Sequence, residues 1–387
     1  MTRAITILGS TGSIGRNTID LISKNPDRFR VEALVAHKDV HTLATQAKAL
    51  NSKVAVVADE SYYNALKSAL AGTSIQAGAG KAAVLEAAQR PVDLVMSAIV
   101  GTAGLEPTYA AIQRGTLIAL ANKESMISAG PVILQALKTY QATLLPVDSE
   151  HNAIFQVLHE SHRPHIEKLI LTASGGPFHA FSPNQMATIT VAQALKHPTW
   201  NMGPKITIDS ASMMNKGLEM IEASYLFGFP ESQIDILIHP QSIVHSLVAY
   251  QDGSVLAQLG IHDMRIPISY TLAWPERLKT DLPRLNLSTI GQLTFEEPNV
   301  KQFPAIALAR QALKEGDDRP TVLNAANEVA VQAFVEGKIP FLDIIPLCQH
   351  VLDYSPKSVL NSIKDVLEVD QQARHLAETR IQKKIAT

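Results

Sequence analysis

The feature that most limits this chain is an alternation within its first 150 residues. Short aliphatic runs at residues 5–8, 31–36, 54–57, 94–98, 117–121 and 143–147 are each bounded by turn residues, and stretches with helical spacing, such as 17–24 and 43–50, lie between them. Buried strands separated by amphipathic helices pack as a doubly wound, Rossmann-like α/β sheet with helices on both faces. Composition supports large aliphatic cores: 46% of the 387 residues are hydrophobic, only 5% are aromatic and only 18% are charged. An average soluble domain carries about 25% charged residues, so global disorder is excluded.

After Asp148 the pattern changes. Strands are expected at 168–172, 205–208, 235–238, 243–250 and 255–259, the last two parted by Gln251, Asp252 and Gly253, a hairpin signal. Helices near 151–159 and 211–227 are grouped, as in an α+β domain with a mixed or antiparallel sheet. Residues 275–298 have breakers and little periodicity. From Pro304 four helical stretches each open near a proline, a residue favoured in the first turn, and short connections imply a four-helix bundle. The expected organisation is a dinucleotide-binding domain at 1–148, a catalytic domain with a dimerisation sheet at 149–274, a linker at 275–300 and a helical domain at 301–387.

Charge and cysteine usage remove several classes. The 34 basic and 36 acidic residues leave a formal charge of −2, so neither nucleic acid nor an anionic membrane is an expected partner. Cys348 is the single cysteine, which excludes an internal disulfide and a cysteine-rich metal site and suits a reducing cytoplasm. Gly9 follows the first aliphatic run too soon for a signal peptide, and the apolar stretch 94–105 is short of the ~20 residues a bilayer needs. A soluble cytoplasmic protein is expected.

Five constellations carry possible chemistry. Gly9, Gly12 and Gly15 (GSTGSIG) sit between the first strand and first helix, where a backbone without side chains can approach a pyrophosphate at the helix N-terminus. The competing reading is a tight turn with no ligand. At the end of the second strand stand His37, Lys38 and Asp39; Lys38 argues for the 2′-phosphate of NADP, whereas Asp39 is either a ribose ligand or, preferably, the N-cap of the next helix. Asp148 and Glu150, two apart on an extended segment, face one side and suit one cation, or else they cap a helix. In the run 209–219, Ser210, Asn215 and Lys216 offer donors for a phosphate near a helix start, with Glu219 one turn beyond Asn215; an ordinary exposed helix face is the alternative. The loop 197–203, with His197, Trp200, Met202 and Gly203, reads as a lid or as a tryptophan packed in a core. Ser174 closes one strand, and Asn122, Lys123 and Glu124 close another.

As an ordered set these motifs are specific. GSTGSIG, NKES from Asn122, PVDSEHNAIF from Pro146, SGGPF from Ser174, the loop 197–203, the run 209–219 and HPQS from His239 together resemble the 1-deoxy-D-xylulose 5-phosphate reductoisomerase family, over essentially the whole chain. The resemblance implies a homodimer that uses NADPH and one Mg2+ or Mn2+ in the non-mevalonate route to isoprenoids. It implies rearrangement of 1-deoxy-D-xylulose 5-phosphate to an aldehyde and its reduction to 2-C-methyl-D-erythritol 4-phosphate. By motif, Asp148, Glu150 and Glu219 become metal ligands, with Lys123, Ser149 and Glu150 at the substrate and Lys123, Glu150, His197 and Glu219 as the catalytic set. Ser174, His197, Ser210, Asn215 and Lys216 become the phosphate clamp, under a lid with Trp200 and Met202. Thr11, Gly12, Ser13, Ile14, His37, Lys38, Asp39, Asn122, Glu124, Gly203 and Met264 become the cofactor set. Where the family usually has glycine, a basic residue and asparagine, this chain has His37, Lys38 and Asp39. Two rivals remain: a semialdehyde-type dehydrogenase, which needs a thiolate that only Cys348 could supply, and a non-catalytic dinucleotide sensor.

Overall fold

Seven short parallel strands frame the first of two units in the computed structural model, which describes residues 2–197, 199–200 and 202–385. They are β1 (Arg3–Leu8), β2 (Phe29–Ala36), β3 (Val54–Val57), β4 (Gln76–Ala79), β5 (Leu94–Ser97), β6 (Leu117–Leu120) and β7 (Thr143–Pro146), in the order β4-β3-β2-β1-β5-β6-β7. The order reverses direction at β1, which leaves a crevice above the carboxyl ends of β1 and β5. Side chains on both faces of β1 and β2 are buried, as continuous aliphatic runs require.

The unit takes the chain up to Ser125, then Ile133–Asn152 and Asp263–Pro283. The last segment holds the helix Arg265–Ala273, whose Ile268 and Leu272 join Ile5, Ile7, Leu34 and Met96 in one apolar core. Arg3 fastens it by donating to the carbonyls of Leu272 and Trp274, at 2.6 and 2.9 Å. The strand β4 has no counterpart among the aliphatic runs: its sequence is Gln-Ala-Gly-Ala, and at a sheet edge it is only partly buried.

The second unit comprises Met126–Val132, Ala153–His262 and the chain from Arg284. Its sheet runs β11-β10-β8-β9, with β8 (Ile166–Ala173) parallel to β9 (Ile234–Ile238) and antiparallel to β10 (Val244–Tyr250), which pairs antiparallel with β11 (Val255–Leu259). The hairpin between β10 and β11 turns at Gly253, at φ +85°. Residues 205–208 are not the strand their β-branched run suggests. They lie in the helix Pro204–Ala211, which Gly203 caps and Pro204 starts, so the first-turn proline overrides local β preference. In the stretch expected as a linker, Glu296 exchanges two backbone hydrogen bonds with Ile238 at the edge of β9, and Leu287–Ile290 is a short helix.

The C-terminal part is helical: Ala305–Glu315, Arg319–Val335, Ile344–Tyr354 and Ile363–Ile385. Residues 356–362 form no helix despite Pro356. Arg319, fully buried, donates instead to the carbonyls of Leu352, Ser355 and Pro356, which satisfies backbone that no helix would pair. Cys348 is buried on the third helix.

Candidate active site

In the first unit, the glycine turn separates two demands. A Cβ on Gly9, at φ +86°, would lie 2.5 Å from the Ala98 carbonyl oxygen, and one on Gly15 would lie 2.5 Å from the Ser10 Cα. Both glycines are needed for backbone packing alone. Gly12 is different: its φ of −75° suits any residue, and a Cβ there meets nothing closer than 3.5 Å. Gly12 caps the helix Ser13–Ser23, whose first-turn amides have no partners within the helix, and Thr11, Ser13 and Ile14 flank it.

At the end of β2 the Asp39 carboxylate accepts the Thr42 N–H at 3.1 Å and caps the helix Val40–Ala49. Hydrogen bonding from Thr42, its side chain first and then its backbone, ahead of the nearby Arg16 charge, holds the Asp39 pKa below the usual aspartate value against the opposing effect of desolvation. Asp59, at the end of β3, likewise turns to the amide and hydroxyl of Ser61. Sequence reasoning found Lys38 at this corner and missed Arg16. The residue directly follows Gly15, and one guanidinium nitrogen stands 3.6 Å from Asp39 while Nε donates to the Thr11 carbonyl at 2.8 Å. The proximity of the first helical turn to the end of the neighbouring strand in a βαβ unit was the available signal.

Asn122 is buried and caps the helix Lys123–Tyr140, accepting the Ser125 N–H while donating to the carbonyls of Ile99 and Gly101. Lys123 and Glu124 follow it, both buried. Lys123 Nζ lies 2.7 Å from the Asp148 carboxylate. Asp148 and Glu150 do not sit on an extended segment: β7 ends at Pro146, and Ser149 opens the helix Ser149–Val157. Asp148 accepts the Glu150 N–H at 3.3 Å, in the manner of an N-cap, and Ser149 donates its hydroxyl to Glu150. Met264, at the head of Arg265–Ala273, packs against the core of this unit.

The second unit gathers a separate group around His197. Its Nδ1 accepts the backbone N–H groups of Thr199 and Trp200, at 3.2 and 2.9 Å. Those two donors leave the ring proton on Nε2, which faces the hydroxyls of Ser174 at 3.2 Å and Ser210 at 3.0 Å. Burial, with His262 nearby, pushes the His197 pKa down to about 4, so the ring is neutral at pH 7. Gly175 and Gly176, both at positive φ, bring Ser174 to this place, and a Cβ on Gly176 would press 2.6 Å from the Ser210 carbonyl. The Trp200 ring meets His262 and His245 edge-on or tilted, at 5.4 and 6.2 Å between centroids. Pro198 and Asn201 of this loop lie outside the described residues. Gly203 caps the next helix with open space beside its α-carbon.

Ser210 and Asn215 are not on one helix, as their spacing suggests. Pro204–Ala211 ends first, Met213 turns the chain at φ +63°, and Met214–Phe227 starts afresh. The break sets Ser210 in a last turn and Asn215 and Lys216 in a first turn, where amides point outward. Lys216 and Asn215 both donate to Glu219, and Lys216 and Glu219 are almost wholly buried. Below them the buried Asp209 is held by Lys205 and Asn327, each within 2.8 Å. The second unit thus holds a neutral imidazole between two hydroxyls, Ser174 and Ser210, and an amide and an ammonium, Asn215 and Lys216, on Glu219.

Matches to known proteins decide between the readings. Residues 5–130 match the family model described as 1-deoxy-D-xylulose 5-phosphate reductoisomerase, and 144–227 and 259–376 match its two C-terminal domain models. The reductoisomerase of Rhodospirillum centenum is 56% identical over 98% of this chain and 94% of its own length. The chain belongs to the 1-deoxy-D-xylulose 5-phosphate reductoisomerase family. The Zymomonas mobilis reductoisomerase solved in complex with NADPH is 50% identical, covers 98% of this chain and 99% of its own, and superposes with a TM-score of 0.95. Another reductoisomerase, solved with NADPH, fosmidomycin and magnesium, is 41% identical over 98% of each chain with a TM-score of 0.94. A dehydrogenase of semialdehyde type is set aside, since burial raises the pKa of the Cys348 thiol far above the reactive range. No described helix is long and apolar enough to cross a membrane.

Proposed function

We propose that this chain binds NADPH and one divalent cation, rearranges 1-deoxy-D-xylulose 5-phosphate to an aldehyde and reduces it to 2-C-methyl-D-erythritol 4-phosphate, a step of isoprenoid precursor synthesis. The observation that carries the reading is the partly buried donor set of the second unit, Ser174, His197, Ser210, Asn215 and the buried Lys216, on a chain of this family. A sensor has no use for such a receptor.

The residues present fit both groups. Asp148, Glu150 and Glu219 are hard oxygen donors without sulfur or imidazole among them, the set that Mg2+ or Mn2+ takes. The open backbone at Gly12 fits a pyrophosphate. When bound, the cation polarises the substrate carbonyl and the nicotinamide supplies the hydride.

The chain's own part is binding and orientation. Ser174, Ser210, Asn215, Lys216 and the Nε2–H of His197 grip the phosphate, and that grip, remote from the reacting carbons, fixes the carbon skeleton. Lys123 and Ser149 reach the substrate, Trp200 and Met202 cover it, and Gly203 and Met264 border the nicotinamide with Asn122 and Glu124. Excluding water protects the aldehyde until reduction. We place this work in the cytoplasm and in a homodimer. The exposed Val255 and Leu256 on the edge strand β11 support a subunit contact there.

The test is NADPH oxidation on adding the pentulose phosphate. Oxidation that requires Mg2+ or Mn2+ and stops without the sugar supports the proposal. Binding of NADPH with no oxidation under any metal would favour the sensor.

A further inference from the structure

A Rossmann turn commonly selects NAD by an acidic residue at the end of β2 that takes the ribose hydroxyls, and a 2′-phosphate meets repulsion there. This chain has such an acid in Asp39, yet the carboxylate is directed elsewhere. One oxygen accepts the Thr42 amide and the other faces the Arg16 guanidinium. Asp59, the other carboxylate at this corner, is taken up by Ser61. Arg16 is fixed at two points: Nε–H on the Thr11 carbonyl of the glycine turn, and a terminal nitrogen toward Asp39. More than half of its side chain remains exposed, so its terminal N–H groups also face solvent at the end of β2. A guanidinium has five donors in a planar fork suited to a phosphate, and one held in place loses less freedom on binding than a free lysine.

We propose that Arg16 is a specificity-determining residue for the 2′-phosphate of NADPH in this chain, joining Lys38, and that Asp39 is its positioning residue and not a ribose ligand. The inference rests on the dinucleotide reading of the glycine turn. It explains how an acid can stand at this corner of an NADPH enzyme: the pair Arg16–Asp39 presents a cation where the carboxylate alone would present an anion.

The experiment measures Kd for NADPH and NADH, and for the fragments 2′,5′-ADP and AMP, which isolate the 2′-phosphate. The full-length chain, Arg16→Ala, Arg16→Lys, Asp39→Asn and Arg16→Ala/Asp39→Asn are compared, with thermal melting as the folding check. Arg16→Ala should weaken NADPH and 2′,5′-ADP by roughly 10- to 100-fold, the range for a lost charged contact, and change NADH and AMP less than about threefold. Arg16→Lys should recover part of the loss. In the Asp39→Asn background, Arg16→Ala should cost less, because the carboxylate left uncompensated in the single variant is gone. Equal losses for NADPH and NADH, or no loss for either, overturn the proposal. Failure of the unaltered chain to bind NADPH would instead refute the dinucleotide reading beneath it.

Discussion

Replacing Gly12 and Gly15 by alanine should split the glycine turn into a part that folds and a part that binds. In Gly15→Ala the new methyl meets the Gly9 carbonyl and the Ser10 backbone, atoms that cannot swing aside. Overpacking against backbone costs about 3 kcal/mol or more, a drop of roughly 6 °C or more in Tm for a unit of this size. In Gly12→Ala the nearest atom is 3.5 Å away and φ is ordinary. Two small effects oppose each other there: alanine restricts the unfolded chain, worth about 0.4–1 kcal/mol, but is a poorer N-cap than glycine by a similar amount. Tm should therefore move by less than about 4 °C. The methyl nevertheless stands where a pyrophosphate must approach the first-turn amides. Losing one such charge-assisted bond, about 1.5–3 kcal/mol, weakens NADPH roughly 10- to 150-fold, and NADH equally, since both share the pyrophosphate. Nicotinamide fluorescence titration beside a thermal melt reads both quantities. A Gly12→Ala protein that binds NADPH like the parent would refute the reasoning and leave the turn as a plain strand-to-helix connection.

Asp148→Asn and Glu219→Gln should keep NADPH affinity within a few-fold and nearly abolish turnover, because each removes a charged ligand from a hard-ion site; activity near that of the parent in EDTA would sink the assignment. Lys216→Ala should lower kcat/KM roughly 10- to 200-fold, from a lost contact worth about 1.5–3 kcal/mol, and hardly affect the dephosphorylated sugar; an equal fall for both sugars would remove Lys216 from the clamp. It also strips a partner from the buried Glu219, so Lys216→Ala/Glu219→Gln should melt higher than Lys216→Ala. His197 and His245 both have pKa values pushed down to about 4 by burial, so on acidification below about 6.5 the unfolded chain takes up protons that the folded chain refuses. Stability should fall as pH drops from about 6.5 toward 4, by up to about 3 kcal/mol for His245, and urea unfolding of His245→Asn should show a shallower slope over that window; an unchanged slope would contradict it.

Much of this was legible because buried strands and amphipathic helices leave unlike patterns. Six of the seven strands of the first sheet stand out as aliphatic runs; β4 does not, because an edge strand can be built from Gln76, Ala77, Gly78 and Ala79. The β-branched residues 205–208 point to a strand only if Pro204 is ignored, and helix capping won. Spacing in the run 209–219 reveals donors but not the turn at Met213, since a left-handed methionine has no sequence mark. Asp39 was readable as a cap because it stands directly before the helical stretch that starts at Val40. Its pairing with Arg16 was harder to read, because it joins residues on two elements that only the βαβ geometry brings together.

The enclosed Cys348 has a practical consequence. A thiol with no exposed surface and a raised pKa does not react with maleimides while the chain is folded. Since it is the single cysteine, the unaltered protein is already the silent background for site-directed labelling. One cysteine introduced at Thr199 would carry a fluorophore or spin label alone, and its signal on adding phosphate ligands would report whether the surroundings of Thr199 change, with no need to strip native thiols first.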